Sequence, residues 1–191
     1  MVKILAFSGS ARKDSFNQKL VKLAAEGAGK AGGEVTVVNL ADYPMPIFDQ
    51  DFEAEQGMPE TVKAFKKLLI EHDGFLIASP EYNSAFTPLL KNVLDWASRK
   101  EGDEQPLVAY RGKCAAIMSA SPGALGGLRG LVFLRMLLAN IGIVVLPGQF
   151  ALTHAGQAFL TNGTLSDDQN NATVLALGAE LVKYSSKLKA D

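Results

Sequence analysis

Short runs of apolar residues alternate along this chain with segments in which apolar residues recur every three or four positions. The runs are continuous rather than alternating, which is typical of strands covered on both faces. Five of them predict strands, at residues 4–7, 35–38, 75–78, 114–118 and 143–146. Helical spacing predicts five helices, around residues 20–24, 59–69, 89–97, 128–138 and 166–189.

This alternation predicts a doubly wound α/β fold, in which helices cover both faces of a five-stranded parallel sheet. A chain of 191 residues has the length of one domain, so we expect residues 1–191 to form a single domain. Residues 42–60 contain six acidic residues, three prolines and no basic residue, and they are interpreted as a long irregular loop. The second helix is expected to turn Lys63, Lys66 and Lys67 toward solvent.

The fourth helix is apolar on nearly all sides, more than one face of a sheet can cover. Arg135, Asn140, Gly142 and Pro147 interrupt the apolar stretch around it, which argues against a membrane span. We therefore expect a subunit interface at this helix.

The composition of the chain excludes several classes of function. A net charge of −1 removes the electrostatic basis for binding nucleic acid. Cys114, the only cysteine, cannot form an internal disulfide, and neither a signal peptide nor a membrane span is visible. These features favour a cytoplasmic protein. No His, Cys and carboxylate cluster has the spacing of a metal site.

Ligands of doubly wound sheets bind beyond the carboxyl ends of the strands, where the strand order reverses. The loop after the first strand, residues 8–17, combines short hydroxyl and amide side chains with Arg12 and leads into a helix. Free backbone amides at a helix N-terminus and a guanidinium group suit a phosphate. The loop has neither the dinucleotide glycine pattern nor a Walker motif, so one terminal monophosphate is expected.

Two further loops lead to the same edge. Residues 79–84 include Pro80, which favours an extended path that can present backbone groups to a flat heterocycle, and Tyr82, an aromatic wall. Residues 119–129 contain three glycines, which allow a ligand to approach the backbone closely. For each loop taken alone, an ordinary turn into a helix explains the residues equally well.

Together these loops resemble the NADPH-dependent FMN reductase family, a flavodoxin-like group that includes bacterial chromate and quinone reductases. The resemblance extends from Val2 to about Leu146. It is carried by four motifs in order: Gly9-Ser10-x-Arg12-x-x-Ser15-x-Asn17, Pro80-Glu81-Tyr82-Asn83, Leu90-Lys91-Asn92-x-x-Asp95-Trp96, and Ser119-x-Ser121-Pro122-Gly123-x-x-Gly126-Gly127.

The resemblance implies a flavodoxin-like strand order, 2-1-3-4-5, a bound FMN and assembly as a homodimer or homotetramer. The residues it implies for the FMN phosphate are Ser10, Arg12, Ser15, Phe16 and Asn17. Those implied for the isoalloxazine ring, largely through backbone groups, are Pro80, Glu81, Tyr82, Asn83 and Ser84. Those implied beside the ribityl chain and ring are Ser119, Ser121 and Gly123.

The implied activity is the transfer of two electrons from NADPH or NADH, through FMN, to a small-molecule acceptor such as a quinone, a flavin, an azo compound or chromate. No protein residue is assigned as a catalytic acid or base, since the flavin performs the chemistry. A flavodoxin-type carrier with a protein partner is the alternative, although such carriers present strongly acidic surfaces. The nicotinamide preference, the role of His154 and the region after Gln149 stay open.

Overall fold

The computed structural model describes residues 1–189, and its centre is a five-stranded, all-parallel sheet in the order β2-β1-β3-β4-β5. Its strands are β1 Lys3–Ser8, β2 Glu34–Val38, β3 Gly74–Ala78, β4 Cys114–Ala120 and β5 Val144–Leu152. Ile4 pairs with Val35 on one side and with Gly74 on the other, so β1 lies inside the sheet. The fold class and strand order expected from the sequence are confirmed.

Helices cover both faces of this sheet. Their bounds are α1 Phe16–Lys30, α2 Gln50–Gln56, α3 Glu60–Glu71, α4 Pro88–Ser98, α5 Leu128–Asn140, α6 Ala155–Ala158 and α7 Asp168–Lys189. Successive side chains of a strand point to opposite faces. Ile4 accordingly packs with the core under α1 and α7, whereas Leu5 packs with the core under α3, α4 and α5. Among residues 1–189, no helix is long and apolar enough to cross a membrane.

The three inner strands explain the continuous apolar runs of the sequence. Every residue of β3 and β4 is buried, as is β1 from Ile4 onward. Each fully buried Leu, Ile or Phe contributes about 1.5–3 kcal/mol relative to an exposed one. The carboxyl ends of these strands are thereby fixed against one another, and the loops that leave them are fixed too.

Residues 42–60 are not the irregular loop that the sequence predicts, because α2 lies within them. Asp49 caps this helix by accepting a hydrogen bond from the Phe52 N–H at 2.9 Å, and Gly57 ends it at a φ of 75°. The preceding segment is fastened to α4, since Trp96 Nε1 donates to the Pro46 carbonyl at 2.8 Å.

The prediction of a solvent-facing lysine row is wrong for Lys66. This residue is buried, and its ammonium donates to the Arg99 carbonyl at 2.7 Å and contacts the Glu104 carboxylate. The segment after α4 covers it, and spacing within α3 carries no information about that segment. Lys67, by contrast, is exposed.

Two element ends also differ from the prediction. Strand β5 continues past Leu146, since Gln149–Leu152 pair with Ile117–Ala120 of β4. The Arg135 guanidinium donates to the Leu146 carbonyl at 2.8 Å and to the Gln149 side chain at 3.0 Å. These bonds lie where the β4–β5 register shifts. Helix α7 begins at Asp168 rather than in the preceding turn, since Asp167 accepts from the Asn170 N–H at 2.7 Å.

Candidate functional site

An open cavity of about 280 Å³ lies where the loops after β1, β3 and β4 meet. Parallel strands bring the loops at their carboxyl ends to one edge of the sheet, and the strand order reverses there. The cavity is lined by Ser10, Arg12, Ser15, Phe16, Asn17, Pro80, Glu81, Tyr82, Ala120, Ser121 and Pro122.

The loop after β1 forms the most polar wall, at the N-terminus of α1. Ser15 caps the helix, with its Oγ accepting from the Gln18 N–H at 3.3 Å. The Ser10 Oγ accepts from the Arg12 N–H at 3.3 Å. The first turn of α1 carries no acidic residue, so its free amides and partial positive charge are not neutralised from within the helix.

Arg12 supplies a full positive charge at this wall. Its side chain is exposed, its Nη2 donates to the Asp14 carbonyl at 2.7 Å, and its guanidinium carbon lies 5.3 Å from the centre of the Phe16 ring. Hydroxyl groups, helix amides and a guanidinium are the donors that bind a phosphate.

Asn17 is committed to the fold. Its Nδ2 donates to the Ala120 carbonyl at 2.8 Å, and its Oδ1 accepts from the Ala120 N–H at 2.9 Å. This buried pair joins the start of α1 to the end of β4. Asn17 therefore lines the cavity and also sets the distance between two of its walls.

The loop after β3 forms a tight two-residue turn. Tyr82 and Ala85 pair through both backbone amides, at 2.8 and 3.1 Å. Between them, Asn83 and Ser84 have φ angles of 50° and 70°, the arrangement of a type I′ turn. The turn leaves Tyr82 exposed at the cavity wall, whereas Asn83 and Ser84 do not line it.

Glu81 turns its carboxylate toward the start of α5. Its Oε1 lies 2.8 Å from Arg129 Nη2, and its Oε2 accepts from the Gly130 N–H at 2.9 Å. Burial acts to raise the pKa of Glu81, but the Gly130 amide and the Arg129 guanidinium outweigh burial and lower it below its ordinary value. The carboxylate is thus ionised at neutral pH and engaged with α5.

The loop after β4 contributes Ser121, while Ser119 lies behind the wall. Ser119 is fully buried, and residues 1–189 offer its Oγ no hydrogen-bond partner. The neighbouring Gly127 has a φ of 88°, and a Cβ built there would lie 1.9 Å from the Ser119 Oγ. Gly123 does not line the cavity either.

Nine of the thirteen residues expected at the cofactor thus line one cavity, and four do not: Asn83, Ser84, Ser119 and Gly123. Sequence reasoning missed Ala120 and Pro122, whose side chains carry no donor that would draw attention to them. His154 lies outside the lining, is exposed, and donates its backbone N–H to the Gly123 carbonyl at 3.3 Å. Residues 1–189 contain no cluster of three or more His, Cys, Asp or Glu suited to a metal ion.

Comparison with models of known families identifies the family of this chain. The model of the family described as NADPH-dependent FMN reductase matches residues 2–157. The chain belongs to the NADPH-dependent FMN reductase family. The expected flavin enzyme, with FMN as cofactor and NAD(P)H as electron donor, is confirmed at the level of the family.

Relatives of this FMN reductase family member include curated enzymes and a solved structure. The chain is 34% identical to an NAD(P)H:quinone oxidoreductase of Solanum tuberosum, over 98% of this chain and 96% of the relative. It is 34% identical to an NAD(P)H-dependent FMN reductase of Pseudomonas aeruginosa, over 88% and 86%. The flavoenzyme NAD(P)H:(acceptor) oxidoreductase FerB of Paracoccus denitrificans superposes with a TM-score of 0.81 at 28% identity, covering 98% of both chains.

The residues present fit the family's cofactor. FMN ends in a phosphate, and the most polar wall of the cavity offers a guanidinium, two serines and the amides of a helix start. The isoalloxazine ring of FMN is flat, and Tyr82 offers an exposed aromatic face on a neighbouring wall of the cavity.

Proposed function

We propose that this chain is a quinone reductase that binds FMN in the cavity at the carboxyl ends of β1, β3 and β4 and takes electrons from NADPH or NADH. The observation that carries the proposal is the position of Arg12, beside Ser10 and the N-terminus of α1, whose first turn carries no acidic residue. When bound, FMN supplies the redox chemistry, accepting hydride from the nicotinamide and delivering two electrons to an acceptor.

The phosphate is assigned to the wall formed by α1. Arg12 neutralises its charge, Ser10 donates through its hydroxyl, and the first amides of α1 donate along the helix axis. Phe16 supports the guanidinium from below, and Asn17 holds this wall against the end of β4.

The ring is assigned to the wall that Pro80, Glu81 and Tyr82 form in the cavity. Pro80 and the exposed ring of Tyr82 would hold it, and Asn83 and Ser84, which lie outside the lining, would shape this wall through their type I′ turn. Glu81 contributes through the backbone, since both oxygens of its carboxylate are engaged with α5. Ser121 is assigned to the ribityl side, and Gly123 and Ser119, which do not line the cavity, are assigned to the layer behind it.

Quinones are the proposed acceptor because a relative that is 34% identical over 98% of this chain is an NAD(P)H:quinone oxidoreductase. The cavity is open, so a flat acceptor can reach the ring after the nicotinamide leaves. Free flavins, azo compounds and chromate are further acceptors to be compared in the same assay.

The deciding experiment is an anaerobic visible spectrum of the FMN-loaded protein before and after NADPH or NADH, followed by addition of a benzoquinone. We expect the nucleotide to bleach the flavin bands and the quinone to restore them. A flavin that ignores both nucleotides would instead favour the flavodoxin-type carrier. In parallel, Arg12→Ala is expected to weaken FMN binding about tenfold or more, a typical loss for a charge-assisted contact; an unchanged dissociation constant would refute the phosphate assignment.

We also propose that α5 forms a subunit interface in a homodimer or homotetramer. Three apolar side chains along one side of α5 are exposed, Val132 by 60%, Phe133 by 45% and Met136 by 57%. Phe133 and Met136 border an apolar cavity of about 420 Å³ between α4 and α5. Exposed apolar surface of this extent on one helix favours association with another copy.

Two further expectations from the sequence are retained as proposals. Residues 1–191 are proposed to act as one FMN-binding domain, and the protein is proposed to work in the reducing environment of the cytoplasm. The single cysteine supports the second point, since Cys114 is buried in β4.

A further inference from the structure

An aromatic stack joins the phosphate wall to the segment after β5. The rings of Phe16 and Phe159 are nearly parallel, with an interplanar angle of 4° and 6.3 Å between their centres. The Arg12 guanidinium lies against Phe16, and the Lys19 ammonium lies 5.8 Å from the centre of the Phe159 ring. Phe159 does not line the cavity, so any effect it has on a ligand passes through its neighbours.

Phe159 is held firmly in place. Its backbone pairs with that of Leu165, which is buried in the core beneath α1 and α7. The Leu160 N–H donates to the Thr164 carbonyl at 2.9 Å, and the Ser166 N–H donates to the Ala158 carbonyl at 2.9 Å. The small hairpin of residues 158–166 therefore presents the Phe159 ring on a fixed support.

Arg12 gains from such a support because little else orients it. Its side chain is exposed, and its hydrogen bond to the Asp14 carbonyl lies within the same loop. A long side chain loses rotamer entropy when it binds a phosphate, and pre-orientation reduces that loss. The Phe16 ring can pre-orient the guanidinium only while the ring itself is fixed, and Phe159 packs against it.

We propose that Phe159 is a positioning residue for FMN, acting through Phe16 to hold Arg12 ready for the phosphate. The inference rests on the proposed function, and it extends the cofactor site to the segment after β5. Phe159 acts only on the phosphate end of the ligand. Removing its ring is therefore expected to lower the affinity for FMN and to leave unchanged the affinity for riboflavin, which has the same ring and ribityl chain without the phosphate.

The test is fluorescence titration of the full-length apoprotein with FMN and with riboflavin. Phe159→Leu keeps most of the side-chain volume and removes the aromatic ring. We expect it to weaken FMN binding about threefold, which corresponds to the free energy of an exposed cation–π contact, and to leave the riboflavin affinity unchanged. Phe159→Tyr keeps the ring and is expected to retain FMN affinity. Leu160→Ala, at an exposed neighbouring position of the same hairpin, is the matched control and is expected to change neither affinity.

A double-mutant cycle separates this inference from the proposed function. If Phe159 acts through Arg12, Phe159→Leu has no further effect on FMN binding in an Arg12→Ala background. Equal losses for FMN and riboflavin, or additive losses in the double variant, would overturn the positioning role and leave the phosphate site standing. If Arg12→Ala alone leaves FMN affinity unchanged, the proposed phosphate site itself fails.

Discussion

Glu81 and Arg129 form an ion pair in which Glu81 Oε1 lies 2.8 Å from Arg129 Nη2, while the second carboxylate oxygen accepts the Gly130 N–H. The Glu81 side chain is only 9% exposed. The pair joins the loop after β3 to the start of α5, where a negative charge also complements the helix dipole. One side chain thus links a wall of the proposed flavin site to the helix proposed as the subunit interface.

Glu81→Gln is expected to lower the free energy of unfolding by about 1–2 kcal/mol at pH 7, since a charged hydrogen bond to a backbone amide and an ion pair are lost. The pKa of Glu81 is lowered in the folded state from an ordinary value of 4.5, because the Gly130 amide and Arg129 outweigh the effect of burial. The contribution is therefore complete above about pH 4.5 and is lost as the pH falls through the lower folded-state pKa.

Urea unfolding of both proteins at several pH values measures this effect. The stability gap between wild type and Glu81→Gln is expected to narrow as the pH falls below about 4.5, because the folded-state pKa of Glu81 lies below that value. Glu26→Gln, on the exposed side of α1, is the control. A gap that does not narrow as the pH falls below about 4.5 would show that the charge of Glu81 does not stabilise the loop.

Two glycines of α1 are expected to respond to alanine in opposite directions. A Cβ at Gly27 would lie 2.0 Å from the Leu175 carbonyl oxygen of α7, whereas a Cβ at Gly29 would meet nothing within 4 Å. Gly27→Ala therefore forces α1 and α7 apart and costs about 1–3 kcal/mol or more. Gly29→Ala gains about 0.5–1 kcal/mol from helix propensity alone.

Thermal or urea unfolding of the two variants tests this pair directly, because the chemical change is the same at both sites. If Gly27→Ala were as stable as the wild type, the close contact between α1 and α7 would not exist in solution. A destabilised Gly29→Ala would mean that this end of α1 is not helical.

Ser84→Gly is expected to stabilise the fold by about 1 kcal/mol. Ser84 occupies the second central position of the type I′ turn with a φ of 70°, a conformation that costs a non-glycine residue about 1 kcal/mol or more. Ala85→Gly, one residue later and outside the left-handed region, is the control and is expected to lose about 0.5–1 kcal/mol. A destabilised Ser84→Gly would point to a contact of the Ser84 side chain that outweighs the strain.

The inner strands β1, β3 and β4 were predictable because they are buried on both faces, which imposes continuous apolar runs. The strand order, by contrast, followed from the resemblance to the family. Helix α2 was not predicted because none of its residues is buried, so its sequence has no apolar period. The sequence nonetheless contains the signals for its two ends, the N-cap residue Asp49 and the C-cap residue Gly57. Cap signals deserve the same weight as periodicity in an acidic segment.

Long-range contacts account for what the sequence could not predict at the site. The loops that meet at the cavity follow from topology, yet the orientation of Glu81 depends on Arg129 and Gly130, far along the chain. The burial of Ser119 likewise depends on the path of Gly127. Phe159 could not be linked to Arg12 before the hairpin of residues 158–166 had been placed beside α1.

Met136→Lys is expected to separate the subunits. Met136 is exposed on α5 and borders the apolar cavity between α4 and α5, so a lysine there would have to bury its charge in the proposed interface. Light scattering at micromolar concentration should give a multiple of 20.3 kDa for the wild type and a value near 20.3 kDa for the variant. Tyr184→Lys, at an exposed apolar position on α7, is the matched control and should keep the wild-type mass. A wild-type mass of 20.3 kDa at that concentration would contradict the interface at α5, and loss of assembly in the Tyr184 variant instead would move it to α7.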